Sequence, residues 1–399
     1  MISDRAKGLQ PSPTLALATK AKELKAQGHD VISLSVGEPD WDTFDSVKRA
    51  GILAIENGET KYAPSNGIPE LRKAIAGQVN NDLSVNYKDT EVTVSTGGKF
   101  ILFSIMQVIC NPGDEVIIPA PYWVSYPVMT ELAGGKPIVV ECGKSENYKL
   151  TPELLEKSIT KKTKALILNS PSNPTGFYYS LAELKALAKV LESHPGIVII
   201  SDDIYNRLVF SDSGLAPHIL MASKKLKDRT VIVNGVSKTY SMTGWRLGWA
   251  LGPAEIIGAM NKYQSQTVSC ASPFTQKAAV QAIVAGGQEF AESLIKLKKR
   301  RDFVFSQLTD IDGFELQEPQ GAFYAWPNVS AHFGKSYDGQ KIENSKDFAK
   351  HLLEDQMVVA VPGVDFGLEG YLRMSYALST DRMGEAVTRI KSFLAKLES

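Results

Sequence analysis

The chain has 399 residues, 43% of them hydrophobic and 22% charged, which is material for two or three domains with sizeable cores. Its 44 basic residues balance 44 acidic ones, so no charge excess draws it to nucleic acid or to an anionic membrane. Cys110, Cys142 and Cys270 are widely spaced and odd in number, which argues against a disulfide scaffold and suits a reducing compartment. The five histidines show no metal-ligand spacing, so no metal is expected. The N-terminus "MISDRAKGLQ" lacks the apolar region of a signal peptide, and the longest uncharged apolar stretch, 100–113, is too short to span a bilayer. A cytoplasmic protein is expected.

In chain order, "PSPTLALATKAKELKAQG" reads as a helix with Ser12 as its cap, Pro13 in its first turn and Gly28 at its end. "VISLSVGEPD" reads as a short strand entering a Gly/Pro loop. From about residue 90, Val/Ile-rich runs alternate with helical stretches: "EVTVS", "DEVIIP", "ALILNS", "IVIISDD", "TVIVNG" and "LGWALG". Runs without polar alternation suit strands buried on both faces. Strands alternating with helices imply a mostly parallel sheet in an α/β domain. "QEFAESLIKLKKRRDFVFSQL" reads as a long amphipathic helix, with "KKRR" at 298–301 a solvated face. It bridges to a second, smaller domain holding "GAFYAWP", "MVVAVPG", "YLRMSYA" and the closing helix "MGEAVTRIKSFLAKL". The boundary falls near 285: a large domain over 40–285, and a small one from 1–39 and 286–399.

Ligands of open α/β sheets bind beyond the carboxyl ends of the strands. There the chain places Gly97 and Gly98 before a helix, Trp123 in "PYWVSY", Asn173 in "NPTG", Asp202 in "SDD", and Lys238 between Ser237 and Arg246. Each has a blander reading: a tight turn, a core aromatic, turn chemistry, a helix cap. Lysine at the end of a buried strand is the least ordinary, because lysine is seldom buried unpaired. Together these residues offer an anion cradle, a flat aromatic, an amide, a carboxylate and an amine nucleophile. One ligand uses all five, pyridoxal 5'-phosphate: its aldehyde takes the lysine, its phosphate the Gly turn, Ser237 and Arg246, and its ring nitrogen the carboxylate.

The motifs "GEPD", "KYAPSNGIPELR", "TGGK", "PYWVSY", "NSPSNPTG", "SDDIY", "SKTYSMTGWRLG", "GAFY", "VPG" and "RMSYA", in this order, make the chain resemble the class I pyridoxal-phosphate aminotransferases of fold type I, most closely the bacterial aspartate aminotransferase branch. The resemblance covers nearly the whole chain. It implies a large domain with a mostly parallel seven-stranded sheet, a smaller α+β domain and a homodimer. It implies that Lys238 bonds to the cofactor and then shuttles a proton, and that Asp202 keeps the ring nitrogen protonated. Tyr205 and Asn173 would bond the ring 3-oxygen, Trp123 would stack on the ring, and Gly97, Gly98, Lys99, Ser237 and Arg246 would surround the phosphate. Tyr62 would reach the phosphate from the partner subunit. Arg373 would clamp the substrate α-carboxylate, helped by Asn173 and the Gly37 backbone. Read without the family, "YLRMSYA" is a strand whose arginine is a surface edge residue. The reaction would be ping-pong transamination.

Lys99, with hydroxyls at Ser12 and Thr14, matches the branch's reader of a distal carboxylate, which favours L-aspartate with 2-oxoglutarate as acceptor. Two positions depart from the branch: Gln10 replaces a lysine and Pro13 an alanine. Gln10 and Ser172 count against prephenate, and Asp203 replaces the usual glutamate after Asp202. The competing readings are an aminotransferase for aromatic amino acids, alanine or prephenate, and a C–S lyase on the same scaffold. A ligand-sensing regulator needs a DNA-binding domain, for which residues 1–30 leave no room.

Overall fold

In the computed structural model, which describes residues 1–398, the strands in chain order begin with β1 (Ile32–Ser33). A seven-stranded sheet follows: β2 (Val92–Ser95), β3 (Glu115–Ala120), β4 (Lys136–Glu141), β5 (Thr163–Asn169), β6 (Val198–Asp202), β7 (Thr230–Gly235) and β8 (Gly248–Leu251). Its order is β2-β8-β7-β6-β5-β3-β4, parallel except that β8 runs against both β7 and β2. The carboxyl ends of β2, β3, β5, β6 and β7 therefore share one edge, where β8 begins.

The apolar runs are continuous because neighbouring residues of one strand feed opposite cores. Leu166, Ile199 and Ile232 pack into one layer; Ala165, Ile167, Ile200, Val231 and Val233 pack into the other. Each fully buried Val, Leu or Ile contributes about 1.5–3 kcal/mol of transfer free energy. β4 is the strand the apolar-run reading misses. It lies at the sheet edge, carries Lys136 and Pro137, and exposes Lys136, Val139 and Glu141, so its sequence resembles a surface segment.

A further core surrounds β9 (Tyr324–Ala325), beyond which the hairpin β10 (Ser336–Tyr337) and β11 (Gln340–Lys341) precedes β12 (Val358–Val359), β13 (Val361–Pro362) and β14 (Leu372–Ser375). β14 is the centre of the antiparallel sheet β13-β14-β9, with Val361 opposite Arg373, and β1 pairs in parallel with β12. The helices Gly287–Thr309, Ser345–Gln356 and Thr380–Leu394 cover this core.

Two local expectations are corrected. "KKRR" is a solvated face only in its first half: Lys298 and Lys299 are exposed, whereas the two arginines are engaged. Arg301 is buried, donates to the Pro319 carbonyl at 2.8 Å and pairs with Asp302 and Glu318, while Arg300 grips Asp40 at 2.5 and 3.0 Å. Ser12 occupies the N-cap position of the helix Pro13–Ala26 but makes no side-chain cap bond. Its hydroxyl lies 3.0 Å from that of Thr14 instead. Gly28, at φ +92°, does close this helix. No helix among the described residues is long and apolar enough to cross a membrane.

Candidate active site

A cavity of about 510 Å³ opens at the carboxyl edge of the large sheet. Ser12, Thr14, Gly37, Gly98, Lys99, Trp123, Asn173, Asp202, Tyr205, Ser237, Lys238, Arg246 and Arg373 all line it. Gly97 lies just behind the Arg246 guanidinium. Tyr62 is the expected site residue that stays away, its side chain 92% exposed.

Lys238 follows β7 by three residues and projects inward. Its ammonium donates to the Gly37 carbonyl and lies 5.9 Å from the Phe323 ring centre. Burial is the main force pushing its amine down to about 8; Arg373 and Arg246 push the same way, against Glu38 and Asp202. About half the amines are then neutral at pH 8, against well under about 1% for an ordinary lysine. A neutral amine is what a nucleophile or a base requires.

Asp202 ends β6, 4% exposed. Its Oδ2 accepts the Tyr126 hydroxyl at 2.6 Å and its Oδ1 the Ile204 N–H at 3.3 Å. Burial raises this carboxyl to about 6, with the Tyr126 bond opposing. Asn169, at the end of β5, donates to the Asp202 carbonyl at 2.9 Å and accepts the Asn173 N–H at 2.9 Å. It thereby fixes two expected site residues relative to each other. The Tyr205 hydroxyl lies 2.8 Å from that of Tyr324, both buried.

The anion cradle is backbone and cation together. Gly97 has φ +100° and precedes the helix Gly98–Ile109, whose first N–H groups have no partner within the helix. A Cβ on Gly97 would stand 2.8 Å from Arg246 Nη2, so the turn needs glycine to let the guanidinium approach. Arg246, left-handed at φ +54°, is braced by its own bond to the Thr243 carbonyl at 2.8 Å. The Lys99 ammonium lies 5.0 Å from the Trp123 ring centre, its affinity for a proton lowered by burial and by Arg246.

Arg373 is 2% exposed. It donates to Asn173 Oδ1 at 3.1 Å and to the Ser35 carbonyl at 2.6 Å. Its guanidinium lies 4.7 Å from the Tyr324 ring centre and 5.0 Å from that of Phe366, and its Nε is buried with no protein partner. Among the described residues no acid pairs with this buried cation, so an anionic ligand suits it. The edge-residue reading of "YLRMSYA" is therefore corrected, because β14 is a central strand.

The sequence reading misses Tyr126, Asn169, Tyr324 and Ser35. Three of them stand inside quoted motifs: "PYWVSY", "NSPSNPTG" and "GAFY". Their partners are distant in sequence, so only the fold reveals their bonds.

The residues present fit pyridoxal phosphate. A glycine turn and a guanidinium face a helix N-terminus, a lysine has a depressed proton affinity, and a buried carboxylate lacks a cationic side-chain hydrogen-bond partner.

The family described as "Aminotransferase class I and II" matches residues 29–390. The aspartate/prephenate aminotransferase of Cereibacter sphaeroides is 48% identical over 99% of each chain, and a probable one of Rickettsia bellii is 46% identical over 98% of each. Among solved structures, the aspartate aminotransferase of Rhizobium meliloti superposes with a TM-score of 0.95 at 41% identity over 100% of each chain. That of Thermus thermophilus with maleate gives 0.90 at 37% identity, over 98% of this chain and 99% of the other. The chain belongs to the class I and II aminotransferases and is a pyridoxal-phosphate-dependent enzyme of that family.

Proposed function

We propose that the chain moves the amino group between L-aspartate and 2-oxoglutarate by a ping-pong mechanism. One observation carries the reading: Lys238, Asp202, Arg373 and Lys99, from four separate segments, face a single cavity. A carboxylate clamp, a base and a second cation are what a dicarboxylic amino acid needs.

Ser237, Arg246 and the N–H groups at Gly98 and Lys99 would hold the cofactor phosphate. Trp123 would cover one ring face, and Tyr205 and Asn173 would donate to the ring 3-oxygen. Asp202 would hold a proton at the ring nitrogen. When bound, the cofactor supplies an electron sink for the negative charge left at the substrate Cα. Arg373 pairs with the α-carboxylate, with Asn173 and the Gly37 backbone beside it. Lys238, its amine neutral, takes the Cα proton and delivers it on the same face. Lys99, Ser12 and Thr14 read the distal carboxylate. The keto acid leaves before the second keto acid enters, and the same residues then act in reverse.

The division at about 285 is part of this proposal. It is supported by the separate cores, one pair about the large sheet and another about β9 and β14. So is a homodimer in which Tyr62 serves the other copy's phosphate. Support comes from its exposed ring and from exposed Ile52, Leu53 and Ile55 on the preceding helix. Cytoplasmic residence agrees with three unpaired cysteines.

The test is to add L-aspartate alone to the loaded protein. The cofactor absorption should shift to that of its amino form, with one equivalent of oxaloacetate, and 2-oxoglutarate should reverse it. An unchanged band would sink the aspartate reading. Lys99→Ala should then lower kcat/KM for aspartate by about 10- to 100-fold and leave alanine within about threefold. Arg373→Lys should lower kcat/KM about 100-fold for every donor, since it loses the paired donors whatever the side chain. A loss confined to aspartate would refute that role. A second reading, prephenate as acceptor, is favoured by the names of the relatives. Offering prephenate to the amino form tests it, and an unchanged spectrum would eliminate it.

A further inference from the structure

Asp202 must stay ionised and correctly turned inside an apolar wall, and its own backbone does little to arrange that. The Ile204 N–H bond to Oδ1, at 3.3 Å, is long. The Tyr126 bond to Oδ2, at 2.6 Å, has the length of a charge-assisted O–H···O⁻ contact. Tyr126 is itself fixed. It lies on the helix Ser125–Leu132, 2% exposed, with Trp123 edge-on at 5.4 Å and 83°. Thr130 bonds its carbonyl at 3.0 Å. Burial holds the phenol proton on well above its ordinary pH range, so Tyr126 remains a donor at every working pH.

The other charged or titratable groups near Asp202 cannot substitute. Asp203 bears the same charge and is held by Ser201 at 2.7 Å and His218 at 3.2 Å. Lys238 acts on Asp202 through space and donates to Gly37. Tyr205 is engaged with Tyr324.

We infer that Tyr126 is a positioning residue: its hydroxyl keeps the Asp202 carboxylate ionised and aimed into the cofactor cavity, and it affects transamination only through Asp202. The inference rests on the proposed role of Asp202. Without the hydroxyl, the carboxyl loses its strong donor and turns or takes up a proton. A neutral carboxyl holds a proton on a ring nitrogen less firmly.

Tyr126→Phe, Asp202→Asn and the double variant form a cycle. Tyr126→Phe should lower kcat by about 10- to 100-fold, the worth of one hydrogen bond to a charged group, with KM within about threefold. In the cofactor-free chain, carbon NMR of labelled aspartate should show the Asp202 titration midpoint moved upward by about one pH unit or more. In the Asp202→Asn background, Tyr126→Phe should change kcat less than about twofold. An unmoved midpoint, or an equal loss of kcat in that background, would overturn the inference while leaving Asp202 in its role. Full turnover by Asp202→Asn alone would overturn both.

Discussion

Replacing Lys238 with alanine is expected to cut turnover of L-aspartate by at least about 10,000-fold, because it removes both the cofactor-bonding amine and the group that moves the Cα proton. The loss should be chemical, not conformational. The amine's hydrogen bond is to one carbonyl, that of Gly37, and burial brings its proton affinity down to about 8. A lysine whose affinity falls on folding opposes folding wherever it is charged in the unfolded state, since folding must then either bury the charge or remove the proton. That penalty is complete below pH 8, fades between about 8 and 10.5, and is absent above. The alanine variant forfeits the packing of four methylenes but also escapes the penalty. Its cofactor-free melting temperature at pH 7 should therefore equal or exceed that of the parent chain, and the difference should turn against it as pH rises past 8. Thermal scans at pH 7 and 10 beside single-turnover assays separate the two effects. Normal turnover in the variant would refute the central assignment, and a collapsed melting temperature at pH 7 would refute the energetic account.

The large sheet was legible because strands buried on both faces lack regular polar alternation, and six of its seven strands carry such runs, rich in Val, Ile and Leu or, in β8, built on Trp, Ala and Leu. β4 was not, since an edge strand with Lys136, Val139 and Glu141 in solvent carries the composition of a loop. The site was legible where chemistry and strand ends coincide, as at Asp202 and Lys238. It was not legible where a residue's meaning depends on a partner far along the chain. Arg373 reads as an edge arginine until β13 and β9 flank it, and nothing in the sequence singles out Tyr126 until β6 brings Asp202 to its hydroxyl, 76 positions away. "KKRR" shows the converse. Two of its charges are committed to Asp40, Glu318 and the Pro319 carbonyl, contacts that a helical face drawn from sequence alone does not contain.

Asp202→Asn should show stability and catalysis moving in opposite directions. The carboxyl titrates at about 6 in the fold against an ordinary 3.8, so the folded chain binds its proton more tightly than the unfolded chain does. Stability consequently falls as pH rises from about 4 to 6, and the full penalty, up to about 3 kcal/mol, persists above that range. Asparagine carries no charge to bury. Its carbonyl oxygen can still accept the Tyr126 hydroxyl, while its NH₂ turns towards the Ile204 N–H and loses that longer bond. The net gain for the cofactor-free variant at pH 7.5 is then about 1–2 kcal/mol, a rise of about 1–2 °C in melting temperature for a chain of this length, and it vanishes near pH 4. Turnover should fall about 1,000-fold, because a neutral amide cannot hold the ring nitrogen protonated as charge builds on the ring. Cofactor loading should accordingly raise the melting temperature more in the parent chain, whose buried carboxylate then gains a cationic partner, than in the variant. Melting curves of both proteins, free and loaded, at pH 4 and 7.5 test the account. A variant less stable at pH 7.5 than its parent would mean that the Asp202 charge is already compensated within the empty cavity, and full turnover would mean that ring protonation does not depend on it.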